Sequence, residues 1–194
     1  MKYRVIQLQQ LIDDLGEDVA QALLSSFSCP RNKDIEGFLR EKAILANRQR
    51  ITMTHLVFEQ GENGFLLVAY FALANKILSG VKGGFPRKLW DRIKRFAILA
   101  DNRYQVPSVL IAQLGKNYTN GLNERISGVD LLSLAMGEVR SAQMIVGGKT
   151  TYLECEDAPK LRAFYEKNGF VYIGQRQTEG DDSRLLLQYL GWID

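Results

Sequence analysis

Hydrophobic and polar positions along the chain change period several times, and each change predicts a new element. Residues 3–8 favour a first strand, and apolar residues within 8–23 then recur every three or four positions and predict a helix. A second helical stripe lies within residues 35–46. Residues 51–60 and 65–74 are strand-like runs separated by Gly-Glu-Asn-Gly, whose Asn-Gly ending is a strong hairpin signal. The first half therefore predicts a strand, two helices and an antiparallel hairpin.

The second half of the chain predicts a mixture of strands and helices. An almost continuously apolar run, residues 108–114, is typical of a central strand buried on both faces, and residues 128–146 carry the longest helical pattern. The other predicted elements are an amphipathic helix, a strand, a short helix and two further strands, at residues 86–96, 150–156, 158–168, 170–177 and 185–189. This order predicts an α/β fold with a mixed sheet.

Length and composition predict a single globular domain over residues 1–194. Hydrophobic residues make up 46% of the chain and charged residues 24%, which argues against a disordered or fibrous protein. The longest apolar run, residues 65–74, is much shorter than the roughly 20 residues that a membrane helix needs. The N-terminus lacks the hydrophobic block of a signal peptide. We therefore expect a cytoplasmic protein with no membrane partner.

Cysteine, histidine and net charge carry little evidence of function. Cys29, Cys155 and the single histidine, His55, form no metal-ligand spacing, so we expect no metal site. The net charge of +3 is ordinary for a soluble protein. A local cluster within residues 86–96 is more strongly basic and contains Arg87, Lys88, Arg92, Lys94 and Arg95. A solvated amphipathic helix is the simpler interpretation of this cluster, and a phosphate-binding surface is the alternative.

A candidate anion site lies where the loop after the central strand enters the long helix. Ser127 and Asp130 have the spacing of a capping box, and Gly128 lets the backbone approach a ligand. The first N–H groups of a helix carry the positive end of its dipole, so this turn suits a pyrophosphate. A purely structural cap is the alternative interpretation of the same residues.

The most specific segment of the chain is residues 150–170, in which a strand, a short helix and a second strand follow one another. Pro159 suits the first turn of a helix, Gly169 suits a left-handed helix end, and Tyr165 lies on the apolar helical face. This segment resembles the last conserved motif of the GNAT N-acetyltransferases, which use acetyl-coenzyme A. The resemblance extends over about residues 27–190 and includes the bacterial branch that contains toxins.

The resemblance implies a GNAT acyl-CoA N-acyltransferase fold, in which a mostly antiparallel central sheet is flanked by helices on both faces. In that family the pyrophosphate turn reads Gln or Arg, two residues, Gly, one residue, then Gly or Ala. Arg125, Gly128 and Asp130 occupy these places here. Asp130 departs from the pattern, as does Ala158, where the family often has asparagine. The implied residues that bind acetyl-CoA are Gln113, Leu114, Gly115, Arg125, Ile126, Ser127, Gly128, Val129, Asp130 and Ala158.

Acetyl transfer needs a neutral amine, a polarised thioester carbonyl and a proton for the departing thiolate. The resemblance implies that Tyr165 is the general acid that supplies this proton. The alternative is a core tyrosine whose hydroxyl bonds a backbone carbonyl. Candidates for a base that acts through water are side chains on the predicted strands, namely His55, Glu59, Glu154 and Glu156. The sequence does not choose among them.

The leading interpretation is an N-acetyltransferase that transfers the acetyl group of acetyl-CoA to an amine on a small molecule, peptide or aminoacyl-tRNA. The second interpretation is a non-catalytic GNAT-like protein that binds acyl-CoA as a sensor or interaction module, which the unusual Asp130 and Ala158 favour. The third is a nucleic-acid-binding domain that uses the basic helix, although no recognised nucleic-acid motif accompanies it. Besides the amine acceptor, tRNA is therefore a candidate partner, and a homodimer is a candidate assembly.

Overall fold

The helices and strands follow the predicted order, except that strand β4 was not predicted and the first predicted helix is divided into two. The computed structural model describes residues 2–62, 64–81, 84–178 and 184–193. The strands are β1 (Tyr3–Gln7), β2 (Met53–Gly61), β3 (Gly64–Val81), β4 (Ile98–Ala100), β5 (Arg103–Lys116), β6 (Thr150–Glu156), β7 (Val171–Gln177) and β8 (Leu185–Trp192). The α-helices are α1 (Leu8–Leu15), α2 (Glu17–Ser25), α3 (Lys33–Gly37), α4 (Ala43–Arg48), α5 (Arg87–Ile93), α6 (Gly128–Val146) and α7 (Pro159–Lys167). A π-helical turn, Phe38–Lys42, joins α3 to α4, and a 3-10 helix, Thr119–Glu124, precedes α6.

The strands form an eight-stranded sheet in the order β1-β2-β3-β5-β6-β8-β7, with β4 paired to β5. The pairs β1–β2, β2–β3, β4–β5, β6–β8 and β7–β8 are antiparallel. The pair β5–β6 is parallel, and its register runs from Ser108 opposite Thr150 to Ile111 opposite Leu153. The predicted mixed, mostly antiparallel α/β sheet is therefore confirmed.

The predicted hairpin joins β2 to β3. Gly61 lies opposite Gly64 in an antiparallel register, and Gly64 has a φ of 121°, a value that glycine adopts without strain. The asparagine of the Asn-Gly signal, Asn63, lies outside the described residues. Strand β3 continues to Val81, beyond residue 74, where the apolar run ends.

The chain divides into two compact units, each with its own hydrophobic core. The first unit comprises Met1–Ala74 and Ala112–Gly137, and the second comprises Asn75–Ile111 and Glu138–Asp194. Fully or nearly buried side chains of the first core are Leu8, Leu11, Ala20, Leu24, Phe27, Cys29, Leu39, Ala43, Leu56, Phe58, Leu67 and Tyr70. Those of the second core are Leu78, Leu89, Ile93, Tyr104, Val106, Tyr152 and Leu190. The single domain over residues 1–194 stays a prediction.

The first predicted helix, residues 8–23, was wrong in its continuity. Gly16 has a φ of 87° and separates α1 from α2. The break changes which side of the second helix faces the core. Val19, one of the recurring apolar residues from which the helix over 8–23 was predicted, is 54% exposed, whereas Ala20 and Leu24 are fully buried. Continuing the apolar periodicity across Gly16 therefore predicted the wrong buried residues in α2.

Two elements of the second half also differ from their predictions. Strand β5 begins at Arg103 rather than residue 108, and its first residues, which pair with β4, alternate between exposed and buried positions. This alternation explains why the apolar run marked only the end of β5. Burial on both faces was predicted for residues 108–114, but there only Ser108 and Ile111 are buried and the other residues are half-buried. Helix α5 ends at Ile93, earlier than the predicted residue 96.

Candidate functional site

The turn that leads into α6 has the predicted Ser127 cap, but the Asp130 carboxylate bonds the Ser127 hydroxyl and not its main-chain N–H, as a capping box would require. The Ser127 hydroxyl accepts a hydrogen bond from the Asp130 N–H at 3.0 Å and donates one to Asp130 Oδ2 at 2.7 Å. The carboxylate of Asp130 is thereby turned back onto its own helix end. Within the described residues, no group accepts from the N–H of Gly128 or Val129. Two main-chain donors at the positive end of a long helix thus remain available for an anion.

Arg125, at the start of this turn, is held by β1 and β2. Its guanidinium donates to Glu59 Oε2 at 2.9 Å, and its carbonyl accepts from the Tyr3 hydroxyl at 2.7 Å and from Lys2 Nζ at 3.1 Å. Glu59 is only 7% exposed, and the hydrogen bond from Arg125 lowers the pKa of its carboxyl. A carboxylate in this state is a poor proton acceptor, and its ion pair ties Arg125 to β2.

Lys116, the last residue of β5, reaches the same turn. Its ammonium donates to the Ile126 carbonyl at 2.8 Å, so the end of β5 and residues 125–130 lie side by side. Burial lowers the pKa of Lys116. Sequence reasoning missed this residue, although a lysine directly after a long apolar run was a usable signal.

The predicted residues of β5 lie in the same unit as the turn. Gln113 and Leu114 are half-buried, and Gly115 is buried. A Cβ on Gly115 would lie 2.3 Å from Ile35 Cγ2, so the absence of a side chain lets the strand pack closely against α3. These residues follow Ile111, the last residue of β5 in the parallel register with β6.

Tyr165 lies on α7 in the second unit, as does Ala158, the residue before that helix. Pro159 is at the first helical position and Gly169 has a φ of 84°, as the sequence predicted. The Tyr165 ring is 8% exposed and lies 5.1 Å from the ring of Phe164, measured between centroids. The rings of Phe170 and Tyr189 lie at 6.0 and 5.8 Å.

The Tyr165 hydroxyl differs from that of a core tyrosine. It has no hydrogen-bond partner among the described residues, whereas the Tyr70 hydroxyl donates to the Ile35 carbonyl at 2.6 Å. Burial raises the pKa of Tyr165, so the phenol stays protonated at neutral pH. A protonated phenol without an internal acceptor is a suitable proton donor for an external group.

The other candidate bases are also engaged or exposed. Glu154 accepts two hydrogen bonds from the Arg176 guanidinium, at 3.0 and 2.7 Å, and one from Gln188 at 2.9 Å. Burial acts to raise the pKa of Glu154, but these hydrogen bonds outweigh it and the pKa is lowered. His55 is 8% exposed, and its ring stacks on that of Phe71 at 5.0 Å. Glu156 is exposed.

The basic cluster forms one side of α5. Leu89 and Ile93 are buried in the second core, while Arg87, Lys88 and Arg92 are exposed. The Arg92 guanidinium lies 3.7 Å from the centre of the Trp192 ring, a cation–π contact that orients it. The helix is thus amphipathic, as predicted, and presents several cations to solvent.

No metal or membrane element accompanies these features in the part of the chain that the structure describes. There, no three His, Cys, Asp or Glu side chains group closely enough to hold a metal ion. None of the described helices is both long and apolar enough to cross a membrane. A cavity of about 420 Å³ in the second unit is lined by Ser108, Gln143 and Lys149 among others, and by none of the predicted site residues.

Solved structures reveal which known fold this is. AtaT complexed with acetyl-methionyl-tRNAfMet is similar with a TM-score of 0.65 and 19% identity, over 95% of this chain and 93% of that chain. AtaT and KacT have the GNAT fold. This chain has the GNAT fold as well. The fold implied by residues 150–170 is therefore confirmed.

Two further GNAT-fold structures are similar over the same extent. A tyrosine-to-phenylalanine mutant of KacT has a TM-score of 0.63 and 18% identity, over 97% of this chain and 95% of that chain. An AtaT mutant of the same kind, bound to the C-terminus of the antitoxin AtaR and acetyl-CoA, has a TM-score of 0.61 and 19% identity, over 99% and 94%. No protein-family model matches the chain, and no curated protein matches it.

Proposed function

We propose that this protein is an acetyl-CoA-dependent N-acetyltransferase. The observation that carries the proposal is the turn at the start of α6, where Ser127 and Asp130 cap each other and leave the N–H groups of Gly128 and Val129 open. Further support comes from the fold, which the chain shares over nearly its whole length with an AtaT variant bound to acetyl-CoA. The turn would hold the pyrophosphate of the cosubstrate.

The reaction needs two further functions from the protein. Main-chain N–H groups near Leu114 and Gly115 would polarise the thioester carbonyl. The acceptor amine then attacks the carbonyl carbon, the new C–N bond forms and the C–S bond breaks. Tyr165 would donate its phenolic proton to the departing sulfur. Its protonated state and the lack of an internal acceptor among the described residues support this role.

The amine must lose a proton as it attacks. Glu59 and Glu154 are held as ion pairs, so neither is proposed as the base. The proton would instead pass to water, and the reaction would draw on the neutral fraction of the amine. This assignment requires turnover to increase with pH until the amine is fully deprotonated.

For the acceptor, we propose the aminoacyl group of a charged tRNA. AtaT forms a complex with acetyl-methionyl-tRNAfMet, and the exposed cations of α5 supply a surface that attracts phosphates. A protein partner is proposed on similar grounds, since AtaT binds the C-terminus of the antitoxin AtaR. Charged tRNA and acetyl-CoA are both cytoplasmic, which agrees with the predicted location. The homodimer stays a prediction.

Ligand-induced stabilisation and turnover test the proposal. Acetyl-CoA should raise the Tm of the wild-type protein, because a ligand that binds only the folded state stabilises it. Gly128→Val should remove this shift by filling the space beside the open N–H groups. Gly137→Val is the matched control, because it lies in the same helix and a Cβ there meets nothing within 4 Å.

Turnover is measured as thiol release from acetyl-CoA with charged tRNA, peptides, polyamines and amino sugars as acceptors. The proposal expects release with charged tRNA. Stabilisation by acetyl-CoA without release on any acceptor would instead favour the non-catalytic interpretation. An undiminished Tm shift in folded Gly128→Val would refute the assignment of the turn.

A further inference from the structure

Three cations, Lys2, Arg125 and Lys116, reach the turn at residues 125–130, and their charges are balanced differently. The Arg125 guanidinium is bonded to the buried carboxylate of Glu59 at 2.9 Å. Lys2 approaches the other oxygen of that carboxylate at 3.5 Å. The Lys116 ammonium bonds the uncharged Ile126 carbonyl at 2.8 Å and has no carboxylate within salt-bridge distance among the described residues. Lys2 and Arg125 therefore share one carboxylate, whereas Lys116 pairs with none in the part of the chain that the structure describes.

The position of Lys116 suits an anion held by the turn. Its ammonium contacts the carbonyl of Ile126, the residue directly before the Ser127 cap and two before Gly128, whose N–H is open. An ammonium has three donors, and this one uses a single donor within the described structure. Two donors therefore remain beside the open main-chain groups.

The surroundings of Lys116 disfavour its positive charge when no anion is bound nearby. Burial lowers the pKa of Lys116, and the nearby Arg31 guanidinium lowers it further, while Glu124 partly opposes both effects. A half-buried cation next to another cation is stabilised when an anion binds. A phosphate oxygen would supply the missing negative charge and accept the two unused donors.

We propose that Lys116 is the phosphate-binding side chain of this turn, and that Arg125 has the different task of tying the turn to Glu59. The inference rests on the proposed binding of acetyl-CoA at residues 125–130. Lys116 would bond the pyrophosphate of the cosubstrate directly, together with the N–H groups of Gly128 and Val129. The side chain thus selects the phosphorylated cosubstrate over a thioester that lacks phosphate.

Calorimetric titration with two thioesters isolates this contact. Acetyl-CoA carries the pyrophosphate, and S-acetylpantetheine carries the same acyl arm without any phosphate. Lys116→Met should weaken acetyl-CoA binding by roughly tenfold to a hundredfold, the range expected for a lost charged hydrogen bond. Binding of S-acetylpantetheine should not change. Lys42→Met, at an exposed lysine of the π-helical turn, is the matched control for loss of one positive charge.

Two conservative variants distinguish the charge of Lys116 from its structural hydrogen bond to the Ile126 carbonyl. Lys116→Gln keeps a hydrogen-bond donor but carries no charge, so it should lose as much acetyl-CoA affinity as Lys116→Met. Lys116→Arg keeps the charge and should bind acetyl-CoA within a fewfold of wild type. The Tm of each unliganded variant is recorded to compare their folding.

Each outcome decides the matter. If Lys116→Gln binds acetyl-CoA as tightly as wild type, the lysine only supports the turn and the proposal is wrong. If every variant loses affinity for both thioesters alike, the effect is not a phosphate contact and the proposal is equally wrong. If the wild-type protein does not bind acetyl-CoA, the proposed function fails together with this inference. Binding by wild type and Lys116→Arg, with weakening in Lys116→Gln confined to acetyl-CoA, supports it.

Discussion

Replacing Tyr165 with phenylalanine separates chemistry from folding, because the change removes one hydroxyl and leaves the ring. The ring contacts with Phe164, Phe170 and Tyr189 stay in place. Within the described residues the hydroxyl bonds nothing, so its loss breaks no internal hydrogen bond. We expect the free energy of unfolding of Tyr165→Phe to stay within about 0.5 kcal/mol of wild type.

The expected effect on turnover is much larger. Loss of a positioned general acid typically costs about a hundredfold or more in rate. The decrease should appear in kcat more than in the affinity for acetyl-CoA, because the proton is needed mainly as the thiolate leaves. Thiol release under saturating acetyl-CoA measures kcat, and calorimetry measures the affinity.

Tyr70→Phe is the matched control, since it makes the same chemical change at a hydroxyl with a structural role. That hydroxyl donates to the Ile35 carbonyl at 2.6 Å, and the change removes this hydrogen bond while the carbonyl keeps the one from the Phe38 N–H. We expect a loss of about 0.5–1.5 kcal/mol, or roughly 1–6 °C in Tm for a chain of this size. Turnover of the folded protein should remain near that of wild type.

The pH dependence of wild-type turnover tests the same assignment. Burial raises the pKa of Tyr165 above its ordinary value of 10.0, and the proposed role requires the protonated form. Turnover should therefore rise with pH as the amine deprotonates, with no alkaline decrease below about pH 10. A decrease centred near pH 8, or turnover of Tyr165→Phe within about threefold of wild type, would refute the reasoning.

Three further predictions concern packing, charge and acid stability. Gly115→Ala places a Cβ 2.3 Å from Ile35 Cγ2, so urea unfolding should show a loss of about 1–3 kcal/mol or more, and an unchanged midpoint would contradict the packing described. Charge reversal at Arg87 and Lys88 should weaken binding of charged tRNA and reduce its salt dependence while leaving stabilisation by acetyl-CoA unchanged; equal tRNA binding by wild type and variant would exclude α5 as the contact. A hydrogen bond from a neighbouring lysine lowers the pKa of Glu36 from 4.5 to about 2, so its charge contributes stability above pH 4.5 that is lost as the pH falls towards 2. The stability difference between wild type and Glu36→Gln should shrink over that interval, and a difference independent of pH would argue against the ion pair.

Elements bounded by local signals were predicted well. Helix α7 begins at Pro159 and is followed by Gly169 with a φ of 84°, as the sequence indicated, because a fixed proline φ and a left-handed glycine act within a few residues. The capping pair of Ser127 and Asp130 was predictable for the same reason, since its two residues are three positions apart.

Burial patterns that depend on distant partners were predicted less well. Glycine at position 16 broke a helix that periodicity alone extended to residue 23, and the buried face then moved to Ala20 and Leu24. Which side of a helix is buried depends on the surface against which it packs, and that surface comes from other parts of the chain. Sequence periodicity contains no information about that surface.

By itself, the sequence determined the α/β order, the capped turn at residues 125–130 and the candidacy of Tyr165, because short-range backbone preferences and a recognisable segment specify them. The tertiary structure alone decided the charges around the turn. Arg125 meets Glu59 across 66 positions and its carbonyl meets the Tyr3 hydroxyl across 122, while Lys116 has no carboxylate within salt-bridge distance among the described residues. Such pairings follow from strand register and chain topology, which bring together residues that no local pattern connects.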